Sequence, residues 1–168
     1  MFNSFAWLMK KFVKIIVLII ITVYVTWSVY EYHWYSGLIP AKIGITYAIN
    51  ISGQSGFREG CGAAIFRLTN ATAPAISRKG IDFFKDAIYS RRSKDPNYTY
   101  RSWKETPVPN TWTSEGTWSG LACSSASSSL LSQILLAASK KGSYYSSKHE
   151  AWILVIPSLK LVVFSYFG

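Results

Sequence analysis

The sequence predicts an α+β protein: one amino-terminal transmembrane helix, then a small domain with a mainly antiparallel sheet and about two helices. Residues 12–30 form a largely apolar run whose one charged residue is Lys14, near its start. A helix of this length spans about 28 Å, close to the roughly 30 Å of a bilayer's hydrocarbon core. The 126 residues from Ile43 onward alternate apolar runs with turn-forming residues. Their order is strand, strand, helix, long loop, helix, strand, strand, which suits one α+β domain.

The charges that flank the apolar run predict its orientation. Lys10 and Lys11 precede the run, Lys14 lies near its start, and no acidic residue occurs before Glu31. Positive residues before a first span keep that side in the cytoplasm, so the later domain is expected in the periplasm of a cell with an inner membrane. The chain then divides into a cytoplasmic amino terminus, a signal anchor, a juxtamembrane linker and an extracytoplasmic domain: residues 1–11, 12–30, 31–42 and 43–168.

Aromatic residues support membrane anchoring. Trp27 and Trp34 lie at the exit of the run, where interfacial aromatics concentrate, and Lys14 can extend back to the inner headgroups. A cleaved secretory signal is one alternative, but the run is longer than such signals and is followed by bulky residues. A buried helix of a soluble protein is the other alternative.

The first part of the domain is predicted to be a hairpin followed by a helix. Residues 43–51 alternate apolar with small or polar side chains, and residues 61–68 form a second strand after a glycine-rich turn over 52–60. Asn70 or Thr72 can cap the helix that follows, with Pro74 in its first turn. Its inward face is expected to comprise Ile76, Gly80, Phe83, Phe84, Ala87 and Ile88.

The second part contains a long loop, a helix and two strands. Residues 91–120 have no sustained periodicity, and we expect a short strand within residues 98–104. A serine-capped helix follows, ended by Lys140, Lys141 and Gly142, with an apolar face of Leu130, Leu131, Ile134, Leu135 and Ala138. Residues 143–149 are predicted to be a polar loop. Residues 151–156 form a central strand and residues 161–167 a last one, with the helices on one face of the sheet.

Two cysteines, Cys61 and Cys123, lie in the predicted periplasmic domain. In an oxidising compartment two such cysteines usually pair, so we predict a disulfide. The only histidines are His33 and His149, and their spacing from the cysteines does not match a zinc site. No metal and no cofactor are expected.

The chain is strongly basic, with a net charge of +10. From Glu31 onward, 15 basic and 8 acidic side chains leave +7. In a periplasmic domain this charge points away from nucleic acid and towards an envelope protein or another anionic ligand, in addition to the lipid bilayer. A basic surface that only maintains solubility is the simpler alternative.

The long loop, residues 91–120, interleaves basic and aromatic side chains, which predicts a partner-binding surface. Trp, Tyr and Arg dominate the energetics of protein interfaces. The alternative is that the aromatics pin the loop to the core while the charges are solvated. The candidate partner-binding residues are Arg91, Arg92, Tyr98, Tyr100, Arg101, Trp103, Lys104 and Trp112.

The sequence favours a non-enzymatic binding protein of the bacterial envelope. It contains no P-loop, dinucleotide fingerprint, nucleophile elbow or paired catalytic carboxylates. One alternative is a toxin-immunity protein that acts in the periplasm. Another is a membrane-tethered hydrolase that uses Cys123 and His149, since a thiol at a helix start is activated. The sequence does not predict an oligomeric state.

Overall fold

The computed structural model describes residues 2–55, 60–95, 99–113 and 119–168. The chain forms two compact units, Met1–Trp34 and Tyr35–Gly168. The first consists of helix, and the second contains the sheet and the remaining helices. This architecture confirms the predicted α+β class.

Helix α1 is longer than the predicted membrane segment. It covers Phe2–Leu38, which are 37 residues, or about 55 Å of helix. Within it, Met9–Leu38 is long and apolar enough to cross a membrane, with a mean hydropathy of 2.3. The residues assigned to a linker are therefore helical as far as Leu38. No residue between 12 and 36 breaks a helix, and α1 ends at Leu38, between Gly37 and Pro40, which are both unfavourable inside a helix.

From residue 15 to residue 30 α1 carries no charge, and two of its threonine hydroxyls bond within the helix. The hydroxyl of Thr22 donates to the carbonyl of Leu18 at 2.9 Å, and that of Thr26 to the carbonyl of Thr22 at 2.8 Å. Nζ of Lys11 lies 3.7 Å from the centre of the Trp7 ring. A helix with exposed apolar side chains and internally bonded hydroxyls meets the requirements of a lipid environment.

The domain is built on one six-stranded antiparallel sheet with the spatial order β1-β2-β6-β5-β4-β3. The predicted central strand, β5, lies between β6 and β4, and its residues are buried apart from the half-buried Trp152. The last strand, β6, is also interior, between β2 and β5. The strands are β1 Ile45–Ser55, β2 Gly60–Leu68, β3 Lys104–Glu105, β4 Tyr144–Lys148, β5 Ala151–Ile156 and β6 Leu161–Phe167.

Strands β1 and β2 form the predicted hairpin, with Asn50 opposite Ile65 and Ser55 opposite Gly60. Strand β1 runs further than predicted, through Gly53 to Ser55, because its later residues stay in register with the start of β2. The remaining turn residues, 56–59, lie outside the described residues. Register shifts on either side of Ala48 mark bulges in this edge strand.

The polar loop predicted over residues 143–149 is wrong, because most of these residues form β4. The strand pairs with β5 on one side and with β3 on the other. Its serines suggested a loop, but Ser146 is buried and its hydroxyl donates to the carbonyl of Arg101 at 2.6 Å. A buried hydroxyl with a hydrogen-bond partner is compatible with a sheet interior.

The helix predicted after β2 is shorter than expected. Helix α2 covers Thr72–Lys79 and is followed by a 3₁₀ helix, Gly80–Phe84. The interruption lies at Gly80, whose φ of +55° is outside the α-helical region. The predicted inward residues Phe83 and Phe84 are buried nevertheless.

Helix α3 agrees with the prediction at both ends. It covers Ser128–Ser139, and the hydroxyl of Ser127 accepts a hydrogen bond from the backbone N–H of Leu130 at 3.3 Å. The chain leaves the helix through Gly142, which has a φ of +108°. On its inward face, Ile134 and Ala138 are fully buried.

The sheet is covered on both faces, whereas the sequence predicted helices on one face. One face, which includes Leu154 and Val163, packs against α3 through Ile134 and Ala138. On the other face, the ring of Phe84 lies 5.1 Å from that of Tyr144. The prediction of one covered face was wrong because successive residues of β2, β5 and β6, whose side chains point to opposite faces, are apolar. Both faces of the sheet therefore bury apolar side chains.

Cys61 and Cys123 lie at disulfide distance, with Cα atoms 5.8 Å apart, which agrees with the predicted pair. Cys61 is in β2, and Cys123 ends the 3₁₀ helix Ser119–Cys123. Gly120 allows this 3₁₀ helix to approach the sheet, because a Cβ there would lie 2.6 Å from the backbone nitrogen of Tyr166. The pair therefore ties the segment before α3 to an interior strand.

Candidate functional site

The basic and aromatic segment predicted to bind a partner runs beside β4. The backbone N–H of Tyr100 donates to Ile88 at 2.8 Å, and that of Arg101 donates to Ser147 at 2.8 Å. Regular pairing begins only at Lys104 and lasts for two residues. The strand expected within residues 98–104 is thus reduced to the short β3. Tyr98 lies outside the described residues.

Tyr100 is a buried part of this segment, with 3 % of its surface exposed. Its hydroxyl donates to the carbonyl of Leu38 at 2.8 Å, and its ring faces Nζ of Lys148 at 5.2 Å. Burial raises the pKa of the Tyr100 hydroxyl well above its usual value. The hydroxyl therefore remains a hydrogen-bond donor at any physiological pH.

The two described tryptophans of the segment also contact the core. The indole N–H of Trp103 donates to the carbonyl of Ala87 at 2.9 Å, and its ring stacks on Phe84 at 4.3 Å. Trp112 packs edge-on against Tyr145 and Trp152, with ring centres 5.1 and 6.0 Å apart. These contacts agree with the simpler alternative, in which the aromatics pin the loop.

Arg91 and Arg92 bind carbonyls at and just after the end of α1. The guanidinium of Arg91 donates to Ser36 at 3.1 Å and also to Ile43. The backbone N–H of Arg92 donates to Gly37 at 2.9 Å. Because the last carbonyls of a helix lack a partner in a next turn, the bond from Arg92 satisfies the carbonyl of Gly37. The bond from Arg91 adds to the one that Ser36 accepts from the backbone N–H of Ile39 at 3.2 Å.

An open cleft of about 330 Å³ lies between the basic and aromatic segment and the chain that begins with the 3₁₀ helix Gly80–Phe84. We call it the aromatic cleft. Two predicted residues, Tyr100 and Trp103, line it. The remaining lining residues are Ile81, Phe84, Lys85, Ile88 and Ser102.

Sequence reasoning missed Ile81, Lys85 and Ile88 as lining residues of a site. Ile81 is 42 % exposed, although it is apolar and belongs to an otherwise amphipathic stretch. The sequence did contain an indication of this. Ile81 is apolar but does not belong to the predicted inward face of the helix, so it is an apolar residue on the face expected to be polar. Only the structure brings it opposite Trp103.

Two basic residues lie at the aromatic cleft. Lys85 lines it and pairs with Asp82 at 2.9 Å on the surface, and this hydrogen bond raises the pKa of Lys85. Arg101 is exposed and adjoins the cleft residues Tyr100 and Ser102 in the chain, and among the described residues it has no carboxylate within 4.0 Å. Lys104 pairs with Tyr145, so it lies on the side of β3 that faces away from the cleft.

Cys123 and His149 do not form the nucleophile and base that the hydrolase alternative requires. The sulfur of Cys123 is bonded to Cys61, and the side chain of His149 is 79 % exposed, with Nδ1 3.6 Å from a carboxylate oxygen of Glu150. In the described part of the chain, no three His, Cys, Asp or Glu side chains converge to hold a metal ion. The prediction that the segment contacts a partner is not tested by its packing.

Comparison with known proteins gives no further guide, because no protein-family model, curated protein or solved structure matches the chain.

Proposed function

We propose that the chain is a non-enzymatic binding protein of the bacterial envelope, anchored in the inner membrane by α1 with its folded domain in the periplasm. The aromatic cleft would receive an apolar side chain from an acidic segment of another envelope protein. The observation that carries this proposal is the exposed Ile81 in a cleft that is also lined by the half-buried Trp103, with the exposed Arg101 beside it in the chain, which among the described residues has no carboxylate within 4.0 Å.

The location in the proposal rests on α1 and on the cysteine pair. A helix whose Met9–Leu38 stretch is apolar and exposed is suited to a bilayer. The pairing of Cys61 with Cys123 fits an oxidising compartment. Lysines before the apolar run favour the orientation with the domain outside the cytoplasm.

The chemistry of the partner follows from charge. Residues 35–168 contain 15 basic and 7 acidic side chains, a net charge of +8. The positive electrostatic potential of a domain with this charge raises its rate of encounter with acidic surfaces and repels basic surfaces. The cleft adds an apolar contact that charge alone does not supply. An acidic segment with a bulky apolar side chain satisfies both conditions.

Site-specific photocrosslinking in intact cells tests the proposal. A photoreactive residue is placed at the exposed Ser102, inside the cleft, and Ile81→Glu is added in a second strain. We expect a discrete protein adduct from Ser102 and a loss of most of it with Ile81→Glu, because a buried carboxylate would replace the apolar contact. Near-ultraviolet circular dichroism checks that the variant remains folded.

Tyr89→Glu is the matched control, since Tyr89 is 41 % exposed and does not line the cleft. It should leave the adduct unchanged. Absence of any adduct, or equal yields with and without Ile81→Glu, would refute the assignment of the cleft. The toxin-immunity alternative is the case in which the partner is a toxin, and it requires rescue of cells from that toxin.

A further inference from the structure

A second groove lies on another part of the domain, between α3 and the turn that joins β5 to β6. We call it the α3 groove; its volume is about 300 Å³. Its lining includes Leu136, Ala137, Lys140, Lys141, Ser158 and Leu159. None of these residues belongs to the basic and aromatic segment.

The floor of the α3 groove is apolar. Leu136 is 55 % exposed, although Ile134 and Ala138 on the inward side of the same helix are fully buried. Ala137 and Leu159 beside it are half-buried and also touch the core. Leu136 therefore extends an apolar surface from the core into solvent, where it has no structural role in the described fold.

The rim of the α3 groove is cationic. Lys140 and Lys141 are exposed at the end of α3, and Lys160 is exposed in the neighbouring turn. Among the residues that the structure describes, none of the three has a carboxylate within 4.0 Å. The acidic side chain bonded to this region is Glu105, whose carboxylate accepts from the backbone N–H of Gly142 at 3.2 Å.

The lysines are not needed to complete the end of α3. The carbonyl of Ala138 accepts from the backbone N–H of Val108 at 2.9 Å. The carbonyl of Lys140 accepts from the hydroxyl of Thr106 at 2.5 Å. With these carbonyls satisfied by Thr106 and Val108, the ammonium groups are available to an external anion.

The two surfaces lie on opposite faces of the sheet. The α3 groove is on the face that packs against Ile134 and Ala138. The aromatic cleft is on the face where Phe84 contacts Tyr144. A ligand in one does not occupy the space of a ligand in the other.

We infer that the α3 groove is a second docking surface, which takes an acidic peptide segment of a partner protein carrying one bulky apolar side chain. Charge complementarity with Lys140 and Lys141, which line the groove, requires the acidic residues, and the exposed Lys160 follows the lining residue Leu159 in the chain. The exposed Leu136 requires the apolar one. A volume of about 300 Å³ is at the lower limit for ligand pockets, which suits a side chain better than a lipid tail. With two separate surfaces, the domain can hold two proteins together.

Fluorescence anisotropy with the full chain in phosphatidylcholine nanodiscs tests the inference. The probe is a labelled peptide in which glutamates flank a single leucine. Lys140→Glu combined with Lys141→Glu should weaken binding by about tenfold, since exposed ion pairs are individually weak and two are replaced by repulsion. Leu136→Asp should also weaken binding of the peptide. A peptide with serine in place of its leucine should bind the chain with an unmodified α3 groove less tightly than the leucine peptide does.

Arg78→Glu combined with Lys79→Glu is the matched control, because it changes the net charge equally at exposed positions on α2. It should reduce binding much less. Equal losses in both double variants would show an effect of net charge alone and overturn the inference. All titrations are made with chains that carry Ile81→Glu, so that the peptide does not also occupy the aromatic cleft. Absence of peptide binding in that background, or binding of phosphatidylglycerol vesicles at Lys140 and Lys141 without binding of the peptide, would also overturn the inference.

Discussion

Removing the pair formed by Cys61 and Cys123 should cost a large part of the domain's stability. The two residues are 62 positions apart, and closing a loop of that length removes about 4 kcal/mol of chain entropy from the unfolded state. The net stability of a domain is only about 5–15 kcal/mol. Cys61→Ala combined with Cys123→Ala should therefore lower the urea midpoint by about 2 M, for a typical dependence on denaturant.

Urea unfolding of the full chain in detergent micelles, followed by tryptophan fluorescence, measures this effect. The unmodified chain in the presence of a reductant should unfold at the same midpoint as the double variant, because both lack the cross-link. A thiol titration of native, unreduced protein should detect no free thiol. Two reactive thiols, or a midpoint unchanged by the double substitution, would refute the reasoning about both the cross-link and the compartment.

Two further substitutions test the packing around the segment. Nζ of Lys148 lies over the rings of Tyr100 and Phe164, and burial lowers its pKa below 10.5. The unfolded chain then binds the proton of the Lys148 ammonium group more tightly than the folded chain does. The free energy of unfolding should therefore rise with pH up to about 10.5, and Lys148→Met should flatten that rise in urea titrations. An identical pH profile in the variant would contradict this. Trp103→Phe should cost about 1 kcal/mol by removing the hydrogen bond to Ala87, and an unchanged urea midpoint would contradict it.

Regular hydrophobic patterns made much of the fold predictable. The alternation in residues 43–51, the continuous apolar run of residues 151–156 and the serine-capped helix before Lys140 each correspond to an observed element. In these stretches local periodicity and burial agree, so the sequence alone is sufficient.

The failures occurred where tertiary contacts override local composition. Strand β4 is polar in sequence, yet Ser146 can be buried because its hydroxyl donates a hydrogen bond to the carbonyl of Arg101 in the neighbouring segment. The candidate site was predicted only in part, for a related reason. The sequence identified Trp103 as a candidate binding residue, but it did not show that the indole of Trp103 bonds to the carbonyl of Ala87. It also did not show that Ile81 and Trp103 line the same cleft. Whether an aromatic side chain packs or binds depends on contacts that are distant in sequence.

The position of β6 has a consequence for how the domain assembles. Among the described strands it is the latest in the sequence, yet it lies inside the sheet, and it pairs Phe167 with Cys61, more than a hundred residues earlier. Until β6 emerges, the hairpins β1–β2 and β4–β5 have no strand to connect them and expose unpaired edges. Such distant pairing slows folding, so these edges stay unpaired for longer than in a sheet whose strands pair in sequence order.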